Sequence, residues 1–152
     1  MSTSGSDYSP GVLTGRSLHP GHASGAVLRL DAPLSFWGGV DHDGRVVDHH
    51  HPQHGASVTG RVLAMPSGRG SSSSAAVLAE LIRSGRAPAA LLLAARDGIL
   101  VVGALVAWEI YDISMPIAEL APDQLAELPD GGHAAVVAGE AAGPATVTVE
   151  GP

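Results

Sequence analysis

Cysteine is absent from the 152 residues of this chain. That excludes a disulfide framework, a thiolate nucleophile and a thiolate metal site, so any iron–sulfur cluster or thiolate-bound metal in its chemistry must be held by another chain. Lysine is absent as well, all eight cationic residues being arginine, and no Gly-Lys-Ser/Thr can close a phosphate loop of the nucleotide-hydrolase kind. ATP or GTP hydrolysis is not expected. Aromatic residues make up 3%, namely Tyr8, Phe36, Trp37, Trp108 and Tyr111, which leaves the core to Val, Leu, Ile and Ala. Fifteen acids bring the formal charge to -7, and an acidic, aromatic-poor surface lacks the basic footprint and stacking rings of a nucleic-acid binder. No apolar run approaches the roughly 18 residues of a membrane span, and the first residues lack a basic-then-apolar signal pattern. A cytoplasmic protein without membrane or nucleic-acid partners is expected.

What is present suits one domain, because 45% hydrophobic residues suffice for a core at this length. Residues 1–10 are small and polar and are expected to form a disordered tail, with the domain over 11–150. Residues 12–18 and 26–30 read as two early strands, parted by the turn signal His19-Pro20-Gly21-His22-Ala23-Ser24-Gly25. Residues 34–40 follow Pro33, end in Gly38-Gly39 and read as a strand or extended segment in which Phe36 and Trp37 pack. Asp43-Gly44 predicts a hairpin turn into a strand over 45–48. A further strand over 57–65 stops at Pro66, a helix over 75–83 follows, and 89–94 is apolar enough for a strand buried on both faces. Strand, helix, strand makes a βαβ unit. Residues 99–111, apolar almost throughout, predict a buried helix; 115–118 a short strand; 120–128 a short helix; 134–138 and 145–149 a closing hairpin. The class is α/β: a compact, barrel-like β/β/α domain with a central βαβ unit.

Two stretches carry candidate chemistry. Gly68-Arg69-Gly70-Ser71-Ser72-Ser73-Ser74 runs straight into the helix marked by Val77, Leu78, Leu81 and Ile82, so it is a loop feeding a helix N-terminus. Unpaired N–H groups and the positive end of the helix dipole favour an anion there. One serine would satisfy the cap, and four in a row after Gly-Arg-Gly exceed that need, although serine runs also occur in flexible linkers. An anion or catalytic site and a plain capped loop both fit this stretch. The second stretch is His49-His50-His51-Pro52-Gln53-His54 beside Asp48. Zinc or iron bound by neutral imidazoles is one reading, and solvated or hydrogen-bonding histidines in a Pro/Gly-rich loop are the other. The expectation is that this chain binds no metal by itself.

Pro33-Leu34-Ser35-Phe36-Trp37-Gly38-Gly39-Val40-Asp41, Asp48 with His51-Pro52, Gly55, Gly60-Arg61-Val62-Leu63 and the glycine–serine loop together resemble the swivel domain of the aconitase X family. The likeness runs from about Val12 to Val149. It implies a swivelling β/β/α fold and, in form, the separate small subunit of a dehydratase, whose relatives act on cis-3-hydroxy-L-proline or mevalonate 5-phosphate. It further implies that Ser71, directly after the loop's last glycine, is the general base. Arg69, Gly70, Ser72 and Ser73 would hold a small anionic substrate, and an iron–sulfur cluster on a large partner subunit would act as Lewis acid. Citrate-type aconitases place an arginine two residues after the serine, where this chain has Ser73, a departure that argues against a tricarboxylate substrate.

Two classes of function follow. One is a hydro-lyase small subunit in a heterodimer, inactive alone, sharing its active site with the partner. The other is a stand-alone small-ligand or regulatory binding module of the same fold without catalysis.

Overall fold

The structure, a computed structural model, describes residues 11–150; the tail expected over 1–10 lies outside the described residues. Two nine-residue strands, β1 (Gly11–His19) and β2 (Gly21–Arg29), open it, parted by Pro20 alone. There follow α1 (Phe36–Gly39), β3 (Val62–Met65), α2 (Ser74–Ser84), β4 (Ala90–Leu93), α3 (Gly98–Tyr111), β5 (Ile117–Glu119), α4 (Pro122–Ala126), β6 (His133–Ala138) and β7 (Pro144–Glu150). The seven strands close into a ring in the order β1-β5-β4-β3-β2-β6-β7, β7 returning to β1.

The ring is uneven. β2, β3, β4 and β5 run parallel to one another, whereas β6, β7 and β1 complete the circuit through antiparallel pairs. β3-α2-β4 is the expected parallel βαβ unit, and β6-β7 the expected hairpin. In β3 and β4 every residue is buried, and side chains alternate between two cores because successive residues face opposite sides of a sheet. Val62, Ala64, Ala90 and Leu92 fill the ring interior with Val136 and Val147. Leu63, Met65, Leu91 and Leu93 point outward to Leu78, Leu81 and Leu100 of the two long helices. An interior mostly of Val and Ala and an outer core rich in Leu explain how so few aromatics suffice.

Four local readings of the sequence are corrected. Residues 21–25 are not a turn but the first half of β2, because β6 supplies ladder partners from Gly21↔Ala138 to Gly25↔Ala134. Residues 34–40 are not a strand: between the isolated bridges Leu34↔Gly68 and Val40↔Val46 the chain makes the broken turn α1, with Trp37 (φ -82°, ψ 110°) and Gly38 (φ 81°) off helical geometry. Residues 45–48 and 57–61 contribute only the bridges of Arg45 and Val46, so β3 begins at Val62. The Asp43-Gly44 turn does form, the Asp41 carboxylate accepting the N–H groups of Arg45 and Asp43, which holds its pKa below the ordinary range. Last, α3 is not a buried helix. Leu100, Gly103, Ala104 and Ala107 face inward, while Val102, Leu105, Val106 and Ile110 are exposed.

Candidate active site at the serine loop

β3 ends at Met65, and the chain crosses the helical side of the sheet as Gly68-Arg69-Gly70-Ser71 before α2 begins at Ser74. Gly70 has φ 98°, open to glycine and strained for other residues, and a Cβ there would collide with the Ser35 hydroxyl. Gly68 is equally confined, since a Cβ would strike the carboxylate of Asp97. Both glycines are therefore required by close approach: the loop is pressed between the turn of Ser35 to Gly39 and the start of α3.

The four serines do different things. Ser71, Ser72 and Ser73 are exposed, and Ser74 is buried. Ser74 Oγ accepts the Trp37 N–H at 3.1 Å, and Ser35 Oγ donates to the Trp37 carbonyl at 2.8 Å, so two hydroxyls fix this turn beside the loop. Ser71 Oγ accepts the Ser73 N–H at 3.0 Å, and its carbonyl accepts the Ser74 N–H at 3.0 Å. The Ser71 oxygen thus already faces a backbone donor at the positive end of an 11-residue helix, the arrangement that stabilises developing negative charge on oxygen. Ser73 occupies the N-cap position of α2, but its side chain makes no capping bond. Arg69 is exposed and forms no ion pair among the described residues.

Asp97, Ser35 and Ser74 were not singled out from the sequence as loop supports. Asp97 accepts the N–H groups of Ile99 and Leu100 at 3.0 Å each and so caps α3. An aspartate immediately ahead of the apolar run 98–111 was the available signal, being a preferred N-cap. For Ser35 and Ser74 no local signal exists, because what each supports is remote in sequence: Ser74 holds the Trp37 amide and Ser35 lies against Gly70.

The loop is open. A hollow of about 660 Å³ between α1 and α2, lined by Trp37, Val40, Ala76, Val77 and Arg86 among others, includes neither Ser71 nor Arg69. A second, of about 490 Å³, joins Ser72 and Ala75 to Arg96, Asp97, Ile99 and Val102 at the α3 N-terminus. Phe36 is buried and Trp37 is 57% exposed, so only one of the two aromatics packs as expected.

The histidine run divides. His51 is buried, its Nε2 3.0 Å from the Ala32 carbonyl and its Nδ1 accepting the Gln53 N–H at 3.0 Å, which requires the proton on Nε2 and leaves neither nitrogen free. His49 and His54 are exposed and stack with centroids 4.6 Å apart. Among the described residues no group of three His, Asp or Glu side chains is placed to share a metal ion.

The profile of the aconitase X swivel domain matches residues 12–149. The cis-3-hydroxy-L-proline dehydratase of Pseudomonas aeruginosa is 50% identical over 121 residues, covering 78% of this chain and 21% of that protein. The phosphomevalonate dehydratase small subunit of Methanothermobacter thermautotrophicus is 41% identical over 93 residues, 60% of this chain and 71% of that one. The chain thus spans about a fifth of the hydroxyproline dehydratases it matches. Among solved structures, Thermococcus kodakaraensis aconitase X in its holo form superposes with a TM-score of 0.78 at 29% identity, over 91% of this chain and 98% of that one.

Proposed function

The chain belongs to the aconitase X swivel-domain family, and from that premise we propose that it is the small subunit of a hydro-lyase acting on a small hydroxy acid of the cis-3-hydroxy-L-proline or mevalonate 5-phosphate kind. The observation that carries the reading is the Ser71 hydroxyl: exposed, one residue beyond a left-handed glycine, and already receiving a backbone N–H at the head of α2. Dehydration removes a proton and a hydroxide from neighbouring carbons. In this reading Ser71 Oγ takes the proton, and the Ser73 N–H together with the positive end of the α2 dipole offsets the charge that the oxygen must carry to act as a base. Gly70, Ser72 and Ser73 offer backbone and hydroxyl groups to the substrate anion, with Arg69 as the cation beside them.

The hydroxide end needs another electrophile. An iron–sulfur cluster would supply Lewis acidity toward the leaving hydroxyl, but a chain without cysteine has no thiolate to ligate one; the cluster is assigned to the large partner subunit. An exposed loop outside an enclosed pocket agrees with a site completed by that partner, as do relatives named as small subunits.

The test assays the purified chain, the large subunit of the same organism's dehydratase and their mixture, anaerobically, on both substrates. Activity in the mixture alone, lost in Ser71→Ala, is expected. Turnover by the isolated small chain, or a mixture no faster than the large subunit alone, would overturn the shared-site reading.

A further inference from the structure

α3 breaks a rule that α2 beside it obeys. The outward side of α2 carries Glu80 and Arg83, paired across one turn, as expected of a helix dressed for water. α3 is apolar on every side. Its inner side packs through Leu100, Gly103, Ala104 and Ala107, yet its outer side presents Val102 (50% exposed), Leu105, Val106 and Ile110 (66%), continued by Ile113. Val102, Leu105, Val106 and Ile110 recur at helical spacing and make one stripe along the helix, Ile113 lies just beyond its C-cap, and Glu109 is the only charged residue in α3. A contiguous exposed apolar stripe of this kind marks an interaction site on a folded domain.

Resting on the small-subunit reading, we propose that this outer face of α3 is the surface on which the large dehydratase subunit seats. Two observations select that occupant. The stripe runs without a break into the candidate site, because Ile99 and Val102 share the hollow of about 490 Å³ with Ser72 and Ala75. A body covering α3 therefore arrives beside the serine loop, where the missing electrophile is needed. A second copy of the chain would close the approach to Ser72 without adding any group the site lacks, and two copies of charge -7 repel. The stripe supplies an apolar centre for an interface of standard size, about 800 Å² per partner, with Arg96 and Asp97 at its polar edge.

Because Val106 and Ile110 are exposed, charged replacements there leave the domain intact, checked by unchanged thermal melting. Val106→Glu and Ile110→Glu should each weaken binding of the same organism's large subunit at least about thirtyfold, the effect of losing a central interface anchor. Arg83→Glu on α2 should stay within about threefold of wild type. Amide exchange over 102–113 should slow when the complex forms. If the wild-type chain does not bind the large subunit, the small-subunit reading falls and the surface with it. If it binds and both glutamate variants bind equally well, only the surface assignment is overturned. Self-association of the chain that Ile110→Glu abolishes would give the face to a second copy and overturn it too.

Discussion

The buried hydroxyl of Ser74 accepts the backbone N–H of Trp37 at 3.1 Å across 37 positions of sequence, joining the first residue of α2 to the turn beside the serine loop. Ser71 and Ser74, three residues apart in one serine run, therefore divide structure from chemistry. Ser74→Ala leaves a partly buried N–H without its partner and should cost about 1–3 kcal/mol of stability. Ser71→Ala, on the surface, should change stability by less than about 0.5 kcal/mol while abolishing dehydration. Denaturant melts beside single-turnover assays of both variants check this. A Ser71→Ala complex that turns over like wild type would remove the base assignment.

Gly70→Ala should unsettle the loop without unfolding the domain. The new methyl meets Ser35 Oγ, and φ 98° is strained for alanine. The expected result is a large loss of kcat with melting lowered by only a few degrees. Adding Ser35→Gly relieves the collision but not the dihedral, so activity should return in part. Full activity in the single variant would show that the loop does not need this geometry.

Where α3 crosses α2, a Cβ on Gly103 would lie 2.7 Å from the Ala75 carbonyl oxygen. Gly103→Ala must push the helices apart or bend them, at about 1–3 kcal/mol. Chemical denaturation measures it, and an unchanged midpoint would mean that the contact yields freely.

His19 is buried at the end of β1, its Nδ1 3.2 Å from the Met115 carbonyl, its ring edge-on to Trp108 and its Nε2 without a partner among the described residues. Burial lowers its pKa from 6.5, outweighing the backbone hydrogen bonds that raise it. The sign follows: above pH 6.5 both folded and unfolded chains hold it neutral, and below that value only the unfolded chain readily takes the proton. Stability present above pH 6.5 is lost as pH falls, until the lowered native pKa is passed. His19→Phe should flatten this part of the curve, read as melting temperature between pH 7.5 and 5. An identical slope in the variant would clear His19.

Elemental analysis of the tag-free chain should find less than one tightly held transition metal. His51→Ala should lower stability through the lost contacts to Ala32 and Gln53. Stoichiometric zinc surviving dialysis would restore His49 and His54 as ligands.

Much of this was legible in the sequence because it is local. The run 89–94 announced a doubly buried strand, and glycine, serine and then helical spacing announced the loop and α2. What escaped was decided by distant partners. His22 to Gly25 look like a turn until β6 lies beside them, and Ser74 looks like its neighbours until the Trp37 amide reaches it. α3 misled for the opposite reason: its composition is that of a buried helix, and the chain by itself buries only one side. In residues 98–111 only Glu109 marks the side that is left over.

β1 pairs along its first half with β7 and along its second with β5. The seam that closes the ring therefore joins the first described strand to the last, Gly11 lying against Val149. During synthesis β1 must wait, with one edge unsatisfied, until nearly the whole domain has left the ribosome, and refolding must close a loop of almost full length before that seam returns any stabilisation. The domain is thus expected to fold slowly for its size, with its exposed early strands as the segments most at risk of pairing with another chain.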